Sequence, residues 1–283
     1  MNNVDFFEKL NLKRISVLLG GLLMMTSVQA ATTLDAQLKL ASGATSVIVA
    51  TSNELQTFNT LLKPVFMGTG TSNWQVLAMQ QVNQGNFITL QELPTAKNGR
   101  GFFAINTQVK NNRLLQAPHS DTDLNTGKIV SSLFLTGGFK AAQWNTVRRE
   151  ISDMAHTPDT YWQAFTKAFA EQYPDGKIIQ LHGYEQTSRV TDAAVGTDII
   201  VSAGHKSPPP WVQQTAACLK KSLSQIVALY PIDVQELGGT TNVQGQLLQR
   251  LGHQGFLHIE MTKVTRQALV DNADLRNRFM SCL

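Results

Sequence analysis

Leu114-Leu115-Gln116-Ala117-Pro118-His119-Ser120-Asp121-Thr122-Asp123 reads as a short apolar strand that delivers an imidazole and two carboxylates from one end. Outward from it, apolar runs and amphipathic stretches take turns. Ile129 to Phe139 follows; Tyr161 to Tyr173 precedes Ile178 to Leu181; Ile199 to Ala203 precedes Trp211 to Leu223. Then come Ile226 to Tyr230, a helical stretch near Asn242 to Leu251, Phe256 to Met261, and a closing helix from about Val264 to Met280. Strand alternating with helix predicts an α/β domain whose mixed, largely parallel sheet is covered on both faces. In such sheets the default site lies just past the carboxyl ends of strands.

All six histidines (119, 156, 182, 205, 253 and 258) fall in this half of the chain. Ile178 to Leu181 delivers His182, and Phe256 to Met261 carries His258 and Glu260 two apart, on one strand face. A catalytic zinc takes three protein ligands from His and carboxylate and keeps a fourth position for water. His119, one of the two nearby aspartates and His182 would supply that set. Glu260 is the candidate base that moves a proton from water to a leaving amine. Asp123 is preferred to Asp121, because the longer spacing lets the loop fold back so that both side chains face one ion. Asp121 to Asn125 also matches the start of a calcium loop, but Thr126 and Ser132 stand where that loop needs glycine and glutamate.

Pro118-His119 with Asp123 four residues on, Leu181-His182-Gly183-Tyr184, and Phe256-Leu-His-Ile-Glu260 with Arg266 behind it resemble the zinc carboxypeptidase-like hydrolases, including the N-formylglutamate amidohydrolase and phage poly-γ-glutamate hydrolase branches. The resemblance implies a three-layer α/β/α sandwich and one zinc on His119, Asp123 and His182. It also implies Glu260 as catalytic residue and cleavage of an amide next to a carboxylate. The first motif departs from the His-x-x-Glu spacing of the carboxypeptidases, since Thr122 stands third after His119. Substrates of this class, small peptides or N-acyl amino acids, carry a carboxylate that a guanidinium can grip in a bidentate fork. Arg148, Arg149 and Arg266 are the candidates. Asp153 and His156 fit one helical face, where they would orient a ligand or be structural, with an alternative metal site as the competing reading. Leu237-Gly-Gly-Thr-Thr-Asn242 lacks a P-loop lysine and reads as a turn with a helix cap. His205 and His253 read as surface residues. No Gly-x-Ser-x-Gly elbow is present, which disfavours a serine hydrolase.

The 283 residues are 42% hydrophobic and 16% charged, which excludes a disordered chain. A balance of 24 basic against 20 acidic residues, with no basic run, argues against nucleic acid as partner. Lys9, Lys13 and Arg14, the apolar Ile15 to Met25, and Val28-Gln-Ala30 before Ala31 have the grammar of a secretory signal peptide at 1–30. The apolar run falls short of the roughly 20 residues needed to span a bilayer. The expectation is a periplasmic or secreted protein, without a stable membrane anchor, whose residues 31–283 form one domain. Residues 31–100 say least, offering strand-like runs at Ser46 to Ala50, Phe87 to Leu90 and, just beyond, Phe102 to Asn106. Cys218 and Cys282, the two cysteines, lie in the exported part and are expected to pair. The competing class is a periplasmic binding or scaffold protein that keeps the fold without turnover.

Overall fold

The computed structural model describes residues 33–70 and 72–283, so the expected leader at residues 1–30 lies outside the described part. The strands are β1 (Met79–Gln84), β2 (Phe87–Glu92), β3 (Phe102–Asn106), β4 (Arg113–Ala117), β5 (Ala141–Trp144), β6 (Lys177–Tyr184), β7 (Ile199–Ser202), β8 (Val227–Leu229) and β9 (Phe256–Thr262). They form one sheet in the order β1-β2-β3-β5-β4-β6-β9-β7-β8. The middle four, β5, β4, β6 and β9, are parallel. β1 to β3 join antiparallel at one side; at the other, β7 is antiparallel to β9 and parallel to β8. The carboxyl ends of β4, β6 and β9 are therefore neighbours, and the register sets Gln116 beside Gln180, Gln180 beside His258, and His182 beside Glu260.

The helices are α1 (Leu34–Ala41), α2 (Ser52–Phe66), α3 (Thr126–Thr136), α4 (Tyr161–Gln172), α5 (Asp192–Val195), α6 (Pro210–Ser222), α7 (Val243–Arg250), α8 (Lys263–Asp271) and α9 (Ala273–Ser281). Alternation along each strand divides the core in two. Leu115, Ile179 and Leu257 pack with Ile129 of α3, Val212 of α6, Leu269 of α8 and Phe279 of α9. Leu114, Ile178 and Phe256 pack on the opposite face with Phe58 of α2, Phe165 and Phe169 of α4, and Leu248 of α7. The result is a three-layer α/β/α sandwich. On the α4/α7 face the same period turns from apolar to polar toward the carboxyl ends, through Gln116, Gln180, His182, His258 and Glu260, all buried.

The largest departures from expectation lie before β3. Ser46 to Ala50 joins no strand, and Ile48 and Val49 are 53% and 79% exposed, because no neighbour offers the segment a ladder. The helices α1 and α2 were not expected there, although Thr51 and Glu54 form a capping box that the sequence spells out. Strands β1 and β5 were also missed. The closing helix breaks at Asn272, whose N–H closes α8 on the Ala268 carbonyl at 2.9 Å while its side chain accepts from Leu275 N at 3.0 Å to open α9. Among the described residues, no helix is long and apolar enough to cross a membrane.

Cys218 of α6 and Cys282, just past α9, are joined across a sequence separation of 64. Closing such a loop stabilises by about 4 kcal/mol at most on the chain-entropy model. Thiol titration of the denatured, unreduced protein is expected to find no free thiol, and Cys282→Ser to lower stability by up to that amount. Two thiols per chain would refute the bridge.

Candidate metal centre

The β4 strand ends in a tight turn. The His119 carbonyl accepts from Asp123 N at 2.9 Å, and Thr126 Oγ1 donates to the Asp123 carbonyl at 2.8 Å. This turn folds Asp123 back until its Oδ2 lies 3.1 Å from His119 Nδ1. Gly183 N donates to the same oxygen at 2.9 Å, which joins the loop to β6. The other edge of His119 is held too: Nε2 lies 2.8 Å from Asp153 Oδ1, and Asp153 Oδ2 accepts from Arg149 Nε at 2.9 Å. His182, from β6, places Nδ1 3.3 Å from His119 Nδ1 and 3.8 Å from Asp123 Oδ2. Its Nε2 lies 2.7 Å from Gln180 Oε1. Two imidazoles thus present their Nδ1 edges, with a carboxylate oxygen, to one point.

On the far side of His182 stands β9. The rings of His182 and His258 are 4.5 Å apart, and Glu260 Oε1 lies 3.7 Å from His258 Nε2. His258 Nδ1 and Glu260 Oε2 are buried with no hydrogen-bond partner among the described residues. Each donor set, His119/Asp123/His182 and His182/His258/Glu260, gathers its ligand atoms within 4.8 Å of one another. The two share His182, whose Nδ1 faces the first. Orphaned buried donors beside a converged His/Asp/His set are what a metal centre with an adjacent base requires.

Burial and charge set the protonation states. Burial pushes the Glu260 carboxyl up to about 8, with the Asp123 charge adding to it against the pull of His119, Arg149 and Arg266. Burial holds the His258 imidazole down to about 3, helped by the charges of His119 and His156. Burial likewise holds His182 well below its ordinary value, with His258 and His119 adding to the effect. For His119 burial acts downward too, but its bonds to Asp123 and Asp153 outweigh burial and raise it. Burial works to raise Asp153, but the His119 bond and the charges of His119 and Arg149 hold it down to about 2.

A pH dependence of the metal-free protein follows. From the ordinary imidazole value of 6.5 up to about 8, the folded state binds more protons than the unfolded one, at Glu260 and His119, so stability falls as pH rises. Below 6.5 the unfolded state binds the extra protons at His182 and His258, and these two outweigh Glu260, so stability falls as pH drops. Thermal unfolding in chelator is expected to show maximal stability near pH 6.5. Glu260→Gln should flatten the alkaline limb by on the order of 2 kcal/mol. Stability that still climbs through pH 8 would contradict this assignment.

The centre opens into a cavity of about 280 Å³ lined by His119, Arg149, His156, His182, His258, Glu260 and the 237–242 loop. Gly239 belongs there because a Cβ would lie 2.9 Å from the His258 ring, and its φ of +63° is in the left-handed region. The loop read as turn and cap does cap α7 through Asn242, but it is also a cavity wall.

Two of the three candidate carboxylate-gripping arginines are placed elsewhere. Arg148 is exposed and paired with Glu150, because its side chain leaves the turn on the solvent side. Arg266 is buried behind β6. Its Nε donates to the Leu124 carbonyl at 2.7 Å and its Nη1 to the Met261 carbonyl, so it anchors the loop that carries Asp123. A Cβ at Gly183 would meet that guanidinium at 2.0 Å, which explains glycine there. Arg149 is the arginine that lines the cavity. Asp121 is exposed and outside the centre. Asp153 and His156 share a turn, with no helix, and only Asp153 touches a candidate ligand. His253 is buried, contrary to expectation, its Nε2 3.1 Å from the Tyr173 carbonyl; His205 is partly buried. Gln116, Gln180 and Gln244 escaped sequence reasoning, and Asn242 was read only as part of a turn and helix cap. The signal available was a glutamine inside each of two apolar strands, Leu-Leu-Gln116-Ala and Ile-Ile-Gln180-Leu.

No protein-family model and no curated protein sequence matches the chain. Among solved structures, it is similar to N-formylglutamate amidohydrolase from Ralstonia eutropha, at 12% identity and TM-score 0.43 over 64% of this chain and 94% of that one. It is also similar to a bacteriophage poly-γ-glutamate hydrolase, at 10% identity and TM-score 0.38 over 62% and 84% of the two chains. A third is succinylglutamate desuccinylase from Vibrio parahaemolyticus, at 12% identity and TM-score 0.41 over 72% and 75%. The first two carry the names of the branches that the sequence motifs resemble.

Proposed function

We propose that the chain is an exported zinc-dependent hydrolase that cleaves an amide or peptide bond next to a free carboxylate. One observation carries the reading: two Nδ1 atoms and a carboxylate oxygen separated by 3.1, 3.3 and 3.8 Å, beside a buried, unpartnered carboxyl. Donors at tetrahedral zinc, with bonds near 2.0 to 2.1 Å, stand roughly 3.3 Å apart, and two imidazoles with one carboxylate suit zinc better than calcium or magnesium. His119, Asp123 and His182 would hold the ion, and metal would displace the proton that His119 Nδ1 shares with Asp123. A bound zinc supplies Lewis acidity at a carbonyl oxygen and acidifies water.

The chain's own groups do the rest. Glu260, buried beside the donor set, takes a proton from the attacking water and returns it to the departing nitrogen. Arg149 is held at Nε by Asp153, and its Nη groups are without a partner among the described residues, so it fits a substrate carboxylate at the cavity rim. Asp153 keeps the His119 ring in place from behind. The leader-like residues 1–30 and the disulfide support export, with residues 31–283 as the mature domain. N-terminal sequencing of protein from a periplasmic or secreted fraction tests that part.

Metal analysis of the purified chain, together with an assay on a panel of N-acyl amino acids and short peptides, tests the chemistry. About one zinc per chain and release of free amine are expected. A folded protein that takes up no zinc and turns over nothing would leave the binding or scaffold reading in its place.

A further inference from the structure

The side-chain amides of Gln116, Gln180, Asn242 and Gln244 on the α4/α7 face have no part in the chemistry above, yet they reach the metal centre through the contact of Gln180 with His182. Asn242 is the N-cap of α7: its Oδ1 accepts from Gln244 N and Gly245 N, both at 3.0 Å. That bond decides which way the amide points, since the helix N–H groups need an oxygen. Its Nδ2 must then face Gln180, and donates to Gln180 Oε1. Gln180 Nε2, in turn, donates to Gln116 Oε1 at 2.9 Å and to Gln244 Oε1 at 3.3 Å.

Those two acceptors are themselves fixed. Gln116 Nε2 donates to Thr166 Oγ1 at 2.8 Å, and that hydroxyl donates to the Trp162 carbonyl at 3.1 Å. Gln244 Nε2 donates to the Met154 carbonyl at 2.9 Å. Gln116, Gln180 and Gln244 are each 0% exposed and Asn242 is 2% exposed, so no water competes for these bonds. An amide flip at Gln180 would set N–H against N–H on one side and oxygen against oxygen on the other, leaving several buried groups unpaired at about 1–3 kcal/mol each.

We propose that Asn242 and Gln180 are positioning residues that select the tautomer of His182, carrying the polarity of the α7 cap to the metal centre. Gln180 Oε1 can only accept, so His182 Nε2 carries the proton and Nδ1 presents its lone pair toward His119 and Asp123. The inference rests on the metal-centre reading for its consequence, but the tautomer itself is readable without metal.

Asn242→Asp provides the test, because it preserves an oxygen for the helix cap and turns the donor facing Gln180 into an acceptor. Gln180 is expected to rotate, because a buried carboxylate left unpaired against Oε1 costs more than freeing the two neutral amide oxygens of Gln116 and Gln244. The rotation brings its N–H to His182 Nε2 and moves the ring proton to Nδ1. In metal-free protein at neutral pH, ¹⁵N–¹H correlation spectra of His182 should change from the Nε2–H to the Nδ1–H pattern, and zinc affinity should fall roughly 10- to 100-fold, the range for groups that orient a ligand. Asn242→Ser, which retains a capping oxygen and leaves Gln180 held by Gln116 and Gln244, should retain the Nε2–H pattern and near wild-type affinity. If Asn242→Asp keeps the Nε2–H pattern, or lowers only the melting temperature, the inference is overturned. If the wild type shows the Nε2–H pattern and takes up no zinc, the metal reading fails and the tautomer assignment survives.

Discussion

Glu260→Gln is expected to bind zinc like the wild type and to hydrolyse a suitable amide roughly 10²- to 10⁴-fold more slowly. The carboxyl lies outside the donor set that His182 Nδ1 faces, so losing its charge leaves that set intact. Among the described residues its Oε2 has no partner and its Oε1 has only His258 Nε2, at 3.7 Å, so no ion pair with Arg266 is broken. Stability of the metal-free form should hold or rise at alkaline pH, since the group that resists ionisation in the fold is gone. Zinc content, melting temperature and turnover on this one variant separate the roles. Loss of zinc would make Glu260 a ligand, and full activity would remove it from the mechanism.

His119→Ala and His182→Ala are expected to lose zinc altogether in a chelator competition, beyond the 10- to 100-fold typical of groups behind a ligand. Asp123→Asn should weaken zinc at least tenfold, because the amide keeps the size but loses the charge, while the exposed Asp121→Asn should bind as wild type. His119→Ala carries a second effect. It leaves Asp123 and Asp153 without the imidazole that bridges them, 3.1 Å from one and 2.8 Å from the other, so the metal-free fold should also lose stability. Retention of zinc in His119→Ala would move the centre to the His182/His258/Glu260 side, whereas retention in His182→Ala, which removes a residue of both donor sets, would overturn both.

The cavity can be probed from its rim as well. Arg149 reaches it from the turn that carries Asp153, whereas Arg148, one residue earlier, points to solvent. Sequence offered both as equal neighbours, and nothing in their local pattern distinguishes them, because a turn has no fixed side-chain period. Arg266 shows the same limit in reverse. Its place one turn into the helix after β9 was legible, but its contacts with the Leu124 and Met261 carbonyls depend on how α8 packs behind Gly183.

Strands β4, β6, β7 and β9 and the helices between them were legible because apolar runs and amphipathic stretches alternate with a clear period, and periodicity is a local property. His119, His182 and Glu260 were legible for the same reason, since a strand that ends in a polar side chain says so in four or five residues. The helices α1 and α2 were missed although Phe58, Leu62, Val65 and Phe66 recur in α2 at helical spacing, because the turn residues on either side of these stretches led the reading toward short strands and loops. That Asp123 and not Asp121 stands beside His119 depends on a turn that brings Oδ2 to Gly183 N, sixty residues away in sequence. The amide row from Asn242 through Gln180 to His182 was invisible for the deepest reason: each glutamine is unremarkable alone, and its orientation is fixed by partners on β4, α4 and α7 that meet only when the sheet has closed beneath them.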